Sequence, residues 1–83
     1  MNREDVLTLI RNHLADELDL DAGVITEETR FKEDLDADSL DLYELVMELE
    51  DRYGISVSEE QATKIATVGD AVEFVLAHAP SSP

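Results

Sequence analysis

Between Arg3 and Leu18 the apolar positions fall at Val6, Leu7, Ile10, Leu14 and Leu18, a three-and-four spacing that predicts an amphipathic helix. Asn2 stands ready as its N-cap, and Glu4 and Asp5 lie in the first turn, where acids suit the helix dipole. A connection from about Asp19 to Asp38 follows. A link of that length is uncommon in a compact domain and is usually functional or hides a further element. Its Val24, Ile25, Phe31 and Leu35 are expected to pin it across the core, with a short turn near Glu27 to Phe31. A second helix is predicted from Leu40 to Tyr53, capped by Asp38 or Ser39 and stopped by Gly54 in the left-handed region. Ser58-Glu59-Glu60-Gln61 is a capping box, which predicts a short third helix ending near Ile65. Thr67 caps a fourth, whose Val68, Ala71, Val72, Val75 and Leu76 face inward. No strand alternation or internal repeat is present. The expected fold is all-α, a small four-helix bundle of three long helices and one short, with one domain over residues 1–79 and a frayed tail at 80–83.

Helix two carries two apolar faces. At roughly 100° per residue, Leu42, Leu45, Val46, Leu49 and Tyr53 share the core stripe. Leu40, Tyr43 and Met47 fall on the far side, interleaved with Glu44, Glu48 and Asp51. Scattered exposed apolar residues are ordinary on protein surfaces. A strip of them bordered by carboxylates also reads as a docking surface, with apolar anchors for packing and acids for orientation.

Charge narrows the possible partners. The 83 residues hold 21 acids against 6 bases, a formal net charge of −15. Such a surface repels nucleic acid and anionic membranes and attracts basic faces of other proteins. Repulsion of this size weakens a small fold and is screened by salt. Hydrophobic residues nevertheless make up 43% of the chain and recur at helical spacing, which argues against wholesale disorder. There is no cysteine, hence no disulfide and no thiol chemistry of the chain's own. Neither a signal-peptide pattern nor an apolar run long enough for a bilayer is visible, so a monomeric cytoplasmic protein without membrane insertion is the expectation.

Ser39 is the candidate for chemistry, at the mouth of helix two between Asp38 and Leu40. A nucleophilic serine needs a base held in hydrogen-bond reach, and the histidines, His13 and His78, sit in no recognisable motif. An enzyme is not expected. Asp34, Asp36 and Asp38 match the opening of a calcium-binding loop. The match then fails, with Ser39 at its glycine position and Leu45 at its bidentate glutamate, so no dedicated metal site is expected. The reading that remains from the residues alone is a simple helix cap, in an acidic adaptor or cation-binding module.

The run from Asp34 to Val72 resembles the acyl carrier proteins, above all the freestanding ones of bacterial fatty acid synthesis. The resemblance rests on Asp38-Ser39-Leu40 opening an acidic helix, on Glu44 to Glu50 (ELVMELE), on the Phe31 to Leu35 approach, and on Ile65 to Ala71 leading into the last helix. It implies that Ser39 carries 4′-phosphopantetheine, installed from coenzyme A by a separate phosphopantetheinyl transferase, with Asp38 and Leu40 framing it. It also implies that acyl groups ride as thioesters on that arm. Asp41, Tyr43, Glu44, Met47, Glu48 and Asp51 would dock the basic faces of fatty acid synthesis enzymes, or of a polyketide or other specialised pathway. The acyl chain would fold back against Leu42, Val46, Leu49, Val57, Ala62, Ile65 and Ala71. A phosphodiester at a helix N-terminus meets unpaired N–H groups and the positive end of the dipole, although the surrounding acids oppose that gain. Two positions depart from the common pattern: Asp36 stands where glycine is frequent, a left-handed position that aspartate tolerates, and Tyr43 replaces a smaller aliphatic residue.

Overall fold

The computed structural model describes residues 2–79, so the expected fraying at 80–83 lies outside the described residues. Helix α1 spans Arg3–Leu18, α2 Ser39–Tyr53, α3 Glu59–Thr63 and α4 Val68–His78, with a single 3-10 turn at Ala22–Val24 between α1 and α2. The fold is the expected all-α bundle.

Each helix begins where a side chain can satisfy its first N–H groups. Asn2 accepts from Asp5 N at 2.8 Å, while Ser58 with Gln61 and Thr67 with Asp70 form reciprocal capping boxes. Val6, Ile10 and Leu14, spaced one turn apart on α1, are fully buried, as are Val68, Val72 and Val75 on α4. These stripes make α1 and α4 the main packed pair, with α2 laid more lightly on α1. Leu76 is half-buried at the edge of the core. Helix α3 ends at Thr63, short of the expected Ile65. Lys64 N and Ile65 N reach back three residues, to Gln61 O and Ala62 O, so the last turn tightens into 3-10 geometry.

The long connection is ordered by a few anchors. Ile25 and Phe31 are buried as expected and Leu35 is half-buried, but Val24 is 61% exposed, because it belongs to the 3-10 turn that Asp21 caps on the surface. Backbone bonds then stitch the loop to the start of α4: Phe31 N to Ala66 O at 3.1 Å, Val68 N to Thr29 O at 2.9 Å and Gly69 N to Glu27 O at 2.7 Å. That last approach is why residue 69 is glycine: a Cβ there would sit 2.9 Å from Glu27 O. Asp36 adopts a left-handed φ of 54°, and Ala37 N bonds back to Phe31 O at 2.9 Å. This turn delivers the chain to the first residue of α2. The loop therefore places Ser39.

Candidate functional site

The cap of α2 is Asp38. Its Oδ1 accepts from Leu40 N at 3.0 Å and Asp41 N at 3.1 Å, and Asp41 Oδ2 accepts from Asp38 N at 3.1 Å, closing a capping box. The open choice between Asp38 and Ser39 is thereby resolved: the Ser39 hydroxyl is left out of the cap, on an exposed residue at the first helical position. The same contacts revise the expectation of unpaired N–H groups at this helix end. Two of them already belong to the Asp38 carboxylate, so an anion at Ser39 has less to gain there than a bare N-terminus offers.

Behind Ser39 lies a cavity of about 290 Å³ between α2, α3 and the loop. Phe31, Leu45, Val46, Leu49 and Ala71 form its buried floor, whereas Lys32, Ser39, Tyr43, Glu59 and Thr63 are exposed and ring its mouth. Of the residues expected along an acyl chain, Leu42, Val46, Leu49, Ala62, Ile65 and Ala71 line this cavity. Val57 lines a smaller neighbouring recess with Tyr43, Met47 and Glu50, because the Val57 N bond to Glu50 Oε2, at 2.8 Å, holds it at the foot of α2. Phe31 and Leu45, expected only as core residues, and Lys32 join the lining without having been placed along the acyl chain by the sequence. Their signal was split between core periodicity and a loop with no period.

Neither histidine reaches this cavity. His13 is half-buried on α1, its Nε2 enclosed without a partner, beside a shallow groove formed with Glu44, Met47, Glu48 and Asp51. His78 is exposed, stacks on Phe74 with ring centres 4.0 Å apart, and has Nδ1 2.9 Å from Phe74 O. Neither histidine lines the cavity that Ser39 borders, so neither is placed to act as its base.

On the outer face of α2, Leu40, Tyr43 and Met47 are 65%, 52% and 59% exposed, with Glu44 and Asp51 exposed beside them. Glu48 is half-buried and 3.9 Å from Arg52, a weak contact, and Asp41 is committed to the capping box. The three aspartates that resembled a calcium loop do not act together. Asp34 accepts from Arg30 N at 2.8 Å and Asp38 is the cap. A different group converges: carboxylate oxygens of Glu17, Asp41 and Glu44 lie within 4.8 Å of one another. Glu17 sits on α1, so only the packing of α1 against α2 brings it there.

A hydrogen bond with Glu44, together with desolvation and the charges of Glu44, Asp41 and Asp16, holds the Glu17 carboxyl above its usual range. Two carboxyls sharing a hydrogen bond need a proton between them. A carboxyl whose folded value is raised stabilises the fold while protonated and loses that contribution as pH rises through the folded value. Glu17→Gln is therefore expected to raise the thermal midpoint at neutral pH, and the advantage should shrink as pH falls through the carboxylate range. Melts of both proteins across that range measure it.

The profile of the phosphopantetheine attachment site family matches residues 8–75. The chain is 49% identical over 78 residues to the acyl carrier protein of Rubrobacter xylanophilus, covering 94% of this chain and 96% of that one. It is 44% identical to the acyl carrier protein of Lactobacillus acidophilus, covering 94% and 98%. Among solved structures, it is similar to the acyl carrier protein of Enterococcus faecalis, with a TM-score of 0.81 at 39% identity over 95% of this chain and all of that one. It is also similar to that of Thermotoga maritima, with a TM-score of 0.79 at 30% identity over 93% and 89%.

Proposed function

The chain belongs to the acyl carrier proteins, carriers rather than enzymes that bear a covalent 4′-phosphopantetheine, and we propose that its attachment point is Ser39 and its cargo the acyl chains of fatty acid synthesis. The observation that carries this reading is the placement of Ser39. Its hydroxyl is exposed, spared from capping, and set on the rim of an apolar cavity.

These residues fit the group. Ser39 would contribute the oxygen that bonds to phosphorus as the nucleotide part of coenzyme A leaves, with a separate transferase supplying the base that takes the hydroxyl proton. The bound group supplies the thiol this chain lacks, and that thiol holds acyl groups as thioesters. Phe31, Leu45, Leu49 and Ala71 offer a hydrocarbon chain an apolar floor on which its burial is worth roughly 0.8 kcal/mol per methylene. This favours saturated acyl chains over the oxygen-rich intermediates of a polyketide pathway, whose hydroxyls and carbonyls would find no partners there.

Leu40, Tyr43 and Met47 act as apolar anchors for partner enzymes, and Glu44, Glu48 and Asp51 meet their basic faces. Glu17 adds to that acidic rim from the neighbouring helix. No helix among the described residues is long and apolar enough to cross a membrane, in keeping with work among the synthesis enzymes of the cytoplasm.

Incubation with coenzyme A and a phosphopantetheinyl transferase tests the assignment. Intact mass should rise by one phosphopantetheine, and peptide mapping should place it on Ser39. An unchanged mass beside a competent control carrier, or modification at Ser56 or Ser58 instead, would overturn it.

A further inference from the structure

Among the mouth residues of the cavity, Lys32 is the cation. The loop brings it there: Phe31, its neighbour, is locked in the core and bonded to Ala66 O, so the next side chain is directed to the rim that Ser39 shares. Bases are scarce in this chain, and most are engaged. Arg3 pairs with Glu27, Arg30 with Glu33 and Asp34, and Arg52 approaches Glu48, while Arg11 donates to Ala22 O at 3.0 and 3.2 Å. Lys32 pairs with no carboxylate among the described residues, although acids surround it in sequence. An unpaired ammonium thus shares the cavity mouth with the hydroxyl assigned to the phosphodiester.

We propose that Lys32 is the counter-ion of the phosphodiester borne by Ser39, and that it biases the prosthetic arm toward the cavity mouth rather than toward open solvent. The proposal rests on Ser39 as the attachment point. Asp38 has already taken the N–H groups of Leu40 and Asp41, so the helix end gives the phosphate little, and Asp38 and Asp41 repel it. Lys32 is the positive charge available to offset them at that rim. A lysine ammonium is a compact point charge suited to phosphate without demanding bidentate geometry. Because Lys32 is exposed, the pairing is screened and shifts the arm's population roughly two- to fivefold instead of fixing it.

Phosphorus NMR of the loaded protein reads this directly. In the wild type the phosphodiester resonance should move as salt is added, beyond the drift of a free phosphodiester in the same buffer, and Lys32→Ala should abolish that extra movement. Lys32→Arg should preserve it. Lys64→Ala makes the same change in net charge at a lysine that lies outside the cavity lining, in a groove with Gln61, Asp70 and Glu73, and should leave the salt response intact. A spin label on the arm's thiol should also broaden the Thr63 and Ile65 amide signals less in Lys32→Ala than in the wild type. Identical salt profiles for wild type and Lys32→Ala would overturn the counter-ion while leaving Ser39 as the tether. Failure of the wild type to accept the arm at all would overturn both.

Discussion

Ser39→Ala is expected to abolish attachment of the prosthetic arm completely while leaving the thermal midpoint unchanged or slightly raised. The two halves of this expectation separate a tether from a cap. Were Ser39 the cap of α2, its loss would cost about 1 kcal/mol, which in a domain of this size lowers the midpoint by roughly 4–8 °C. Asp38 holds that place, with Asp41 completing the box. At the first helical position alanine is a somewhat better helix former than serine, so the fold has a few tenths of a kcal/mol to gain, on the order of its propensity difference. Chemically the substitution is absolute, since no oxygen remains to bond to phosphorus. Mass spectrometry after transferase treatment and a thermal melt of the same sample measure both halves. A variant that still takes up phosphopantetheine would remove Ser39 from its role, and one that loses both the arm and several degrees would return the serine to the cap.

Much of this arrangement is legible in the sequence because helices announce themselves by period and by caps. Val6, Ile10 and Leu14, and likewise Val68, Val72 and Val75, lie at helical spacing and are buried where that spacing puts them. Caps that have one candidate residue, Asn2, Ser58 and Thr67, start their helices where the sequence places them. Asp38 and Ser39 are both good caps in adjacent positions, and local propensity cannot choose between them; the chain's trajectory does, through the left-handed turn at Asp36.

The loop resists reading for a related reason. From Asp19 to Asp38 no period exists, and burial is decided by backbone bonds to a segment roughly forty residues away along the chain, at Ala66 to Gly69. Ile25 and Val24 are adjacent, equally apolar, and end on opposite sides of the surface. Lys32 and Glu17 illustrate the same limit at the site itself. One reaches the cavity rim because Phe31 is anchored, and the other joins Asp41 and Glu44 because two helices pack. Neither consequence is contained in a short window of sequence. The cavity combines both kinds of information: its α2 wall follows from helical period, and its Phe31 wall only from the fold.

That dependence on Phe31 makes Phe31→Ala the most disruptive single change expected in the core. The ring is 1% exposed, packs beneath a loop with few other buried side chains, and forms part of the cavity floor. Truncating a buried phenylalanine costs about 3–5 kcal/mol, through lost transfer free energy and the void left behind. The void here would merge with an existing cavity, so there is little prospect of collapse to recover part of the loss. Stability available to offset it is modest. A domain of this length holds on the order of 5–10 kcal/mol, and self-repulsion from a net charge of −15 draws it toward the lower figure at low salt. Phe31→Ala should therefore sit near its folding midpoint in dilute buffer and regain helicity as salt screens the acids. Phe31→Leu, which keeps most of the apolar contact, should fold and lose stability more modestly. Urea denaturation followed by far-ultraviolet circular dichroism, at low and high salt, measures all three proteins. If Phe31→Ala unfolds near the wild-type urea concentration, the backbone bonds from Thr29, Phe31 and Gly69 are holding the loop unaided, and Ser39 owes its position to them rather than to the ring.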